Sequence, residues 1–193
     1  MKKRLLALTI AVVLLLPLPA FASEANFVDL YEASVYEAEK DQPITRAKFC
    51  MLTFEAFRQI NGGIFPLLEA KNIFLDVGEE PEDIFIVMLC GMGIVNGVSN
   101  NSFMPRRCIT RQEACTILTR AQLLQNPDLA ENIPGVESSL ATIKDADTIA
   151  SWAKVFVAYQ YQNGVIDATD GMISPNGTLT TEEAISMCSR FVK

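Results

Sequence analysis

Two arginines stand at the same place in two similar segments of the chain. Arg46 lies in "PITRAK" at 43–48, and Arg111 lies in "CITRQE" at 108–113. Each follows a threonine that can cap a helix, so each guanidinium is predicted in a first helical turn. There it could pair bidentately with a carboxylate, beside backbone N–H groups and the positive end of the helix dipole. The alternative is an ordinary solvated arginine, and the two segments alone leave both open.

The sequence gives little support to catalysis. It has no histidine, which excludes imidazole catalysis, histidine-ligated zinc and a histidine pH switch. No serine, cysteine or carboxylate stands in a recognisable catalytic arrangement. The "DATDG" segment at 167–171 lacks the ligand pattern of a calcium loop and is predicted to be a turn. We therefore predict no enzymatic activity, no metal and no other cofactor.

Composition and charge favour an exported protein that does not bind nucleic acid. The chain has 193 residues, half of them apolar, and a formal net charge of −7. Residues 1–22 combine a basic start, an apolar run at 5–16 and a small-residue cleavage site after Ala22, which predicts a secretory signal. The remaining chain carries a charge of −10, which disfavours phosphate binding. With no cysteine before Cys50 and no apolar C-terminal tail, we expect no covalent anchor at either end.

The five cysteines are an odd number for an exported chain. Cys50, Cys90, Cys115 and Cys188 lie among apolar residues at helical spacing, and Cys108 stands apart from them. The favoured interpretation is that they are small buried hydrophobic residues. One disulfide is the open alternative, and at least one thiol would then stay free.

One pattern of residues recurs along the chain. Two segments each read Asp, an apolar stretch, Gly, a turn-rich connector, Pro and a second apolar stretch opened by Thr. The matched positions are Asp76 with Asp145, Gly93 with Gly164, Pro105 with Pro175, and Ile109-Thr110 with Leu179-Thr180. A shorter copy, with only 21 residues from Ser23 to Ile44, precedes them. The pattern indicates stacked repeats, none of which buries its apolar surface alone.

Each complete repeat is predicted to contain two helices, the first preceded by a short extended piece that ends in the aspartate. In the first helix, apolar residues recur at core spacing, and the glycine ends the helix in a left-handed conformation. The apolar residues are Ile84, Val87, Met88 and Met92 in one repeat and Trp152, Val155, Phe156 and Tyr159 in the other. Trp152 is equally compatible with a core position and with an exposed platform.

The second helix of every copy opens with a threonine. We call Thr45, Thr110 and Thr180 the capping threonines, because each is predicted to be an N-cap. Glu113 and Glu183 complete capping boxes three residues later, whereas Lys48 replaces the glutamate in the first copy. The sequence thus predicts an all-α fold of helix–loop–helix repeats. We place a signal at 1–22, a truncated first repeat at 23–65, a second repeat at 66–130 and a third at 131–193.

The motifs of the repeat resemble those of a known family. "GIVNG … SFMP … ITRQE" at 93–113 is similar to the repeat ending of the S-layer homology family. "PITRAK" and, more distantly, "GVIDA … ISP … LTTEE" at 164–183 resemble the same ending, and "FLDV" at 74–77 resembles the family's opening motif. The chain departs from the family in its short first lead-in, in Lys48, and in Thr181 at the third arginine position.

The resemblance implies three repeats in a pseudo-threefold bundle. The grooves between neighbouring repeats would hold a secondary cell-wall polysaccharide, which often carries the carboxylate of a ketal-linked pyruvate. The family's site residues carry over to Arg46 and Arg111 and, more weakly, to Asp76, Asp145 and Trp152. Trp152 could stack on a sugar ring, and the third groove is expected to be weak or empty because of Thr181.

Two functions follow as expectations. The first is non-covalent attachment to the anionic wall polysaccharide of a Gram-positive-type bacterium, on the extracellular face of the wall. The alternative is a structural or interaction protein of the envelope, with the same fold and decayed glycan binding, that contacts other surface proteins. The two intact "ITR" motifs favour the first, whereas Thr181 and the shortened first repeat favour the second. The negative net charge opposes an anionic glycan, but screening over about 8 Å leaves the local arginines to decide.

Overall fold

The regular secondary structure in the described part of the chain is helical. A computed structural model describes residues 33–63, 72–130 and 133–193, and no strand occurs in these ranges. The predicted all-α fold is therefore confirmed. The α-helices are α1 (Ala33–Glu39), α2 (Arg46–Ile60), α3 (Asp83–Gly91), α4 (Arg111–Gln125), α5 (Val136–Ala141), α6 (Lys154–Gln162) and α7 (Thr181–Phe191). Short 3₁₀ helices follow α4 and α5, at Pro127–Ala130 and Ala146–Thr148.

The three helices that open with a capping threonine form the centre of the molecule. Helices α2, α4 and α7 pack against one another in all three pairs. Just before them, three backbone bonds close a ring: Ile44 donates to Leu179 (2.9 Å), Leu179 to Ile109 (3.3 Å) and Ile109 to Ile44 (3.1 Å). All three side chains are buried. This closed ring is the pseudo-threefold arrangement that the resemblance implies.

The shorter helices lock neighbouring repeats together. Helix α3 of the second repeat packs on α2 of the first, and α6 of the third repeat packs on α4 of the second. Each repeat therefore covers an apolar surface of the repeat before it, as expected of units that are not stable alone. The predicted boundary at 65/66 falls outside the described residues and the one at 130/131 adjoins residues 131–132, which also lie outside them, so both stay predictions. The signal predicted at 1–22 lies outside as well.

The capping threonines act as the sequence predicts. Each accepts a hydrogen bond from the backbone N–H three residues later, and α4 and α7 carry complete capping boxes with Glu113 and Glu183. At α2 the box is absent, because a lysine side chain has no acceptor for the N-cap N–H, and Lys48 pairs with Glu39 at 2.6 Å. The broken box of the first copy is thus confirmed, and its lysine ties α1 to α2.

The first-turn N–H groups of these helices are already occupied. Arg46 N donates to Arg107 O (2.9 Å), and Ala47 N donates to Pro105 O (3.0 Å). The same two bonds recur at α4, from Arg111 to Gly177 and from Gln112 to Pro175, and at α7, from Thr181 to Gln42 and from Glu182 to Lys40. The free N–H groups expected to help bind an anion are therefore absent from these helix starts, because the next repeat's connector, or for α7 the chain before α2, accepts them.

The core register of the shorter helices differs from the predicted one. In α3 the fully buried apolar side chains are Ile86 and Leu89, and Ile84 is exposed. In the third repeat Tyr159 is buried as predicted, whereas Trp152 and Val155 are exposed. All four core candidates of α3 were apolar, so the sequence could not show which side faces α2. The helices end as predicted, with Gly93 and Gly164 at φ of +74° and +69°.

The segments before α3 and α6 form turns, and the expected extended pieces are not seen. Each makes one backbone bond to its own repeat's connector, from Leu75 to Asn101 (2.8 Å) and from Lys144 to Gly171 (2.8 Å). A single bond is too little to build a strand pair. The aspartate that follows each of them has a different task, which is described below.

All five cysteines lie in the described ranges and are free thiols. Cys50, Cys115 and Cys188 are fully buried, and we call them the buried cysteines. Burial raises the pKa of Cys50 and Cys115 to about 12 and raises that of Cys188 further. The interpretation as small hydrophobic residues holds for these three, whereas Cys90 and Cys108 are only partly covered.

Candidate functional site

Arg46 reaches from the start of α2 into the second repeat. Its Nε donates to Phe103 O (3.1 Å), Nη1 to Glu113 Oε1 (3.2 Å) and Nη2 to Asn96 O (3.4 Å). The guanidinium also lies 4.4 Å from the centroid of the Phe103 ring. Only 5% of the Arg46 side chain is exposed. Burial lowers the pKa of Arg46 and Glu113 opposes that shift, but an arginine stays charged at any physiological pH.

Glu113 joins Arg46 to a second arginine. Its Oε1 accepts from Arg107 Nη2 (2.5 Å) as well as from Arg46, while Oε2 accepts from the backbone N–H of Thr110 (3.0 Å). Burial by itself would raise the pKa of Glu113. The hydrogen bonds from Arg107 and Thr110 and the charges of both arginines outweigh burial, so this pKa lies below its ordinary value. The glutamate therefore serves both the helix cap and the junction between two repeats.

Arg111 repeats this geometry one repeat further along. Its Nε donates to Ile173 O (2.8 Å) and its Nη1 to Glu183 Oε1 (3.1 Å), which are the positions that match Phe103 and Glu113. The junction is more open, since 17% of the Arg111 side chain and 47% of the Glu183 side chain are exposed. Both predicted arginines thus lie at equivalent junctions between neighbouring repeats.

The third junction has lost both partners of the ion pair. Thr181 replaces the arginine and donates to Gln42 O at 3.5 Å. Lys48 replaces the glutamate and pairs with Glu39 instead. The arginine and its glutamate are therefore missing together, and the junction closes through backbone bonds and apolar packing.

Asp76 and Asp145 hold the connectors of their own repeats. Asp76 accepts from the backbone N–H groups of Phe103 (2.9 Å) and Met104 (2.9 Å) and from the Ser102 hydroxyl (2.7 Å). Burial opposes ionisation of Asp76, but these hydrogen bonds prevail and lower its pKa. Asp145 accepts the equivalent N–H groups of residues 173 and 174, at 2.9 and 2.8 Å. Both carboxylates are used inside the fold and fix the carbonyl that each arginine contacts.

Trp152 lies on the surface beside the Arg46 junction. It is 53% exposed and lines a groove of about 430 Å³. We call this space the Arg46 groove. Its walls are Arg46, residues 96–98 of the connector, and the α4 side chains Glu113, Thr116, Ile117 and Arg120, with Trp152 from the turn before α6. The structure therefore brings Arg46 and Trp152 to one groove, whereas Arg111 lies at the other junction.

Two polar residues of the groove were not anticipated from the sequence. Arg120 is half-buried on α4, with its guanidinium carbon 5.7 Å from the centroid of the Phe156 ring. The amide oxygen and nitrogen of Asn96 are assigned from their surroundings. In that assignment the nitrogen donates to Val95 O (3.0 Å) and the oxygen accepts from Arg120 Nη1 (3.2 Å). The sequence signal that could have pointed to Arg120 is its spacing, because Arg120 and Arg190 both lie nine residues after the first residue of their helices, α4 and α7.

The groove is locally cationic in an acidic protein. Arg46 and Arg120 line it together with one carboxylate, that of Glu113, and Arg107 pairs with this same glutamate, so the positive side chains at the groove outnumber the negative ones. The chain as a whole carries a charge of −7. Because long-range interactions are screened within about 8 Å at physiological salt, the local excess of positive charge governs what binds here.

Other kinds of site find no support in the described ranges. No group of three or more potential metal ligands occurs in residues 33–63, 72–130 and 133–193. Within the same ranges no helix combines the length and hydropathy that a membrane span requires.

Comparison with known proteins adds an independent finding. The family model for the S-layer homology domain matches residues 76–115 and 142–185. The surface-layer 125 kDa protein of Lysinibacillus sphaericus is 30% identical over 105 residues, which cover 52% of this chain and 8% of that protein. The chain therefore spans only a small fraction of the length of this relative. Arg111, Asp76, Asp145 and Trp152 lie inside the two matched segments, and Arg46 lies before them.

Proposed function

We propose that this protein, a member of the S-layer homology domain family, attaches non-covalently to the cell surface by binding a polysaccharide of the cell wall. The family and the surface-layer relative point to a structural protein of the cell surface, in agreement with the repeats. The observation that carries the proposal is the Arg46 groove, where an exposed tryptophan faces a cationic junction between repeats.

The groove has the physical properties of a carbohydrate site. Its volume of about 430 Å³ lies in the range of small-molecule pockets, which is roughly 300–1,000 Å³. The exposed indole of Trp152 offers a flat apolar face on which a sugar ring can stack. Thr116, Glu113 and the backbone of residues 96–98 supply hydrogen-bonding groups around it. An exposed indole leaves apolar surface in contact with water, and a stacked sugar ring would remove that surface from water.

The preferred ligand is an anionic polysaccharide on the extracellular face of the wall. A carboxylate, such as that of a pyruvyl ketal, pairs well with guanidinium groups. The Arg111 junction would form a weaker second site, because Trp152 lines the groove of the other junction. We expect no binding at the Thr181 junction.

Among the predicted site residues, we propose that Asp76 and Asp145 position the two arginines. Their carboxylates hold the backbone of residues 103–104 and 173–174, and these backbones in turn hold Arg46 and Arg111. We propose no enzymatic activity, because the carboxylates at both junctions are already paired inside the fold.

One observation favours the alternative function, that of an envelope scaffold without glycan binding. Arg46 is almost fully buried and already binds three acceptors, and Arg111 binds two. Arginines used in this way could serve only to join repeats. The two functions make opposite predictions for the wall binding of Trp152→Ala, since a scaffold without glycan binding does not use the indole to bind polysaccharide.

The deciding experiment is co-sedimentation of the purified chain with isolated cell walls. Trp152→Ala is the informative variant, and Leu75→Ala is its matched control, because Leu75 is 84% exposed and lies outside the groove. Walls are compared before and after mild acid extraction of their polysaccharide. We expect wild type and Leu75→Ala to pellet only with intact walls, and Trp152→Ala to remain largely in the supernatant.

Two results would contradict the proposal. If folded wild type stays in the supernatant with intact walls, the scaffold function is favoured instead. If wild type and Trp152→Ala pellet equally, the wall contact lies outside the Arg46 groove.

A further inference from the structure

The residue that meets the charge of an anionic ligand need not be the arginine of the repeated motif. Arg46 is 5% exposed, and its donors are directed to Phe103, Glu113 and Asn96. A ligand carboxylate that took over these bonds would leave buried acceptors without donors, at a cost similar to what it gains. Arg46 is therefore well placed to shape the groove and poorly placed to bind the ligand's charge.

Arg120 has the opposite properties. It forms no ion pair with any carboxylate in the described ranges, although Arg46, Arg58, Arg106, Arg107, Arg111 and Arg190 all do. Its polar partner is the neutral side-chain amide of Asn96, whose oxygen, assigned from the hydrogen-bonding surroundings, lies 3.2 Å from Arg120 Nη1. Burial lowers the pKa of Arg120, and no acidic residue of the described ranges opposes that effect. A half-buried guanidinium without a counter-charge gains more than a paired one when an anion arrives.

We infer that Arg120, held in place by Asn96, is the specificity-determining residue of the Arg46 groove and selects ligands that carry a carboxylate. This inference rests on the proposed function, because it concerns the ligand of the same groove. Trp152 lies on the same groove and would hold the sugar ring, while Arg120 binds the acidic substituent. The neutral amide at residue 96 leaves the charge of Arg120 available.

The third repeat supplies an internal comparison. Arg190 stands at the position of Arg120, and Asp167 stands at the position of Asn96, three residues after the glycine that ends the short helix. There the aspartate pairs with Arg190 Nη1, so the cation already has its anion. At the matching position of α2 stands Glu55, which pairs with Arg58. Among these three positions, only that of Arg120 offers an unpaired positive charge.

The test combines removal of the charge from the protein with removal of the charge from the ligand. The probes are a hexose methyl glycoside bearing a ketal-linked pyruvate, and the methyl ester of the same compound. Isothermal titration with the purified chain measures the preference for the acid over the ester. Arg120→Met keeps the side-chain length against Phe156 and removes the charge, and Arg190→Met is the matched control.

We expect wild type and Arg190→Met to prefer the acid by about tenfold or more, in line with a charge-assisted hydrogen bond. Arg120→Met should bind acid and ester alike, with the affinity for the ester within about threefold of wild type. An undiminished acid preference in Arg120→Met would overturn the inference while leaving the proposed function intact. Wild type that binds neither probe nor intact walls would overturn both.

A second pair of variants tests the role of residue 96. Asn96→Asp copies the arrangement of the third repeat and should lower the affinity for the acid at least about tenfold, because the new carboxylate pairs with Arg120. Asp167→Asn, the reverse change, should leave the acid preference of the Arg46 groove unchanged. Retention of full acid affinity by Asn96→Asp would show that the charge is bound elsewhere, and this too would overturn the inference.

Discussion

Replacing Arg46 with alanine should destabilise the fold much more than the same change at Arg111. Both side chains join a repeat to the next one through a carbonyl and a glutamate. They differ in burial, because the Arg46 and Glu113 side chains are 5% and 17% exposed, against 17% and 47% for Arg111 and Glu183. The two variants therefore measure one contact in two environments.

The expected magnitudes follow from that difference. Arg46→Ala removes the donor for two backbone carbonyls, leaves Glu113 with one fewer cation and removes the contact with the Phe103 ring. Breaking one side of a buried ionic network costs about 3–5 kcal/mol. Arg111→Ala loses one bond to a carbonyl and one ion pair with an exposed partner, which together contribute about 1–2 kcal/mol.

Urea denaturation followed by far-UV circular dichroism gives the free energies of unfolding. Arg58→Ala is the control, because Arg58 pairs with Glu55 within α2 and crosses no junction, so its loss should cost about 0.5 kcal/mol or less. A gap of about 2 kcal/mol between Arg46→Ala and Arg111→Ala is expected. Equal losses, or a larger loss for Arg111→Ala, would refute the view that burial at the first junction makes the repeats interdependent.

Three further predictions concern pH, backbone conformation and thiol reactivity. The pKa of Glu113 in the folded protein lies below its ordinary value of 4.5, so its ionised form stabilises the fold above about pH 4.5. This contribution is lost as the pH falls through the folded pKa. The free energy of unfolding of Glu113→Gln should therefore fall less steeply than that of wild type when the pH is lowered. Gly164→Ala should lower the free energy of unfolding, measured by heat or urea, by about 1 kcal/mol. We expect this cost from the left-handed backbone at φ +69° alone, because an added Cβ would meet nothing within 4 Å, and a negligible loss would contradict that reason. The buried cysteines should resist a thiol reagent in the native state and react after unfolding, whereas rapid labelling of all five thiols would contradict their burial.

The helices and their ends could be predicted because the determining signals are local. A threonine followed three residues later by glutamate forms its cap within one helical turn, and Gly93 and Gly164 end helices through their own backbone preference. The recurrence of these signals gave the repeat and the all-α fold. It also placed Arg46 and Arg111 at equivalent helix starts, which the structure bears out.

Burial of the short helices and the composition of the groove could not be predicted in this way. Every candidate core position in α3 was apolar, so only contact with α2 decided that Ile86 and Leu89 face inward while Ile84 faces outward. Trp152 was compatible with either side until the packing of α6 on α4 left it exposed. Helical periodicity gives the residues that share a face, but a mostly apolar helix does not state which face its neighbour covers.

The sequence by itself therefore determined the repeated helical unit, its caps and the equivalent first-turn positions of Arg46 and Arg111, because each of these depends on residues within a few positions of one another. Only the tertiary structure decided that the first-turn N–H groups bond to a neighbouring repeat's connector or to the chain before α2, and that Asp76 and Asp145 hold the connectors. It also decided that Arg120 lines the same groove as Trp152 and forms no ion pair with any described residue. These contacts join residues tens of positions apart, and ring closure between repeats is what brings them together. The positive charge that remains available to a ligand depends on which arginines are already paired with a carboxylate.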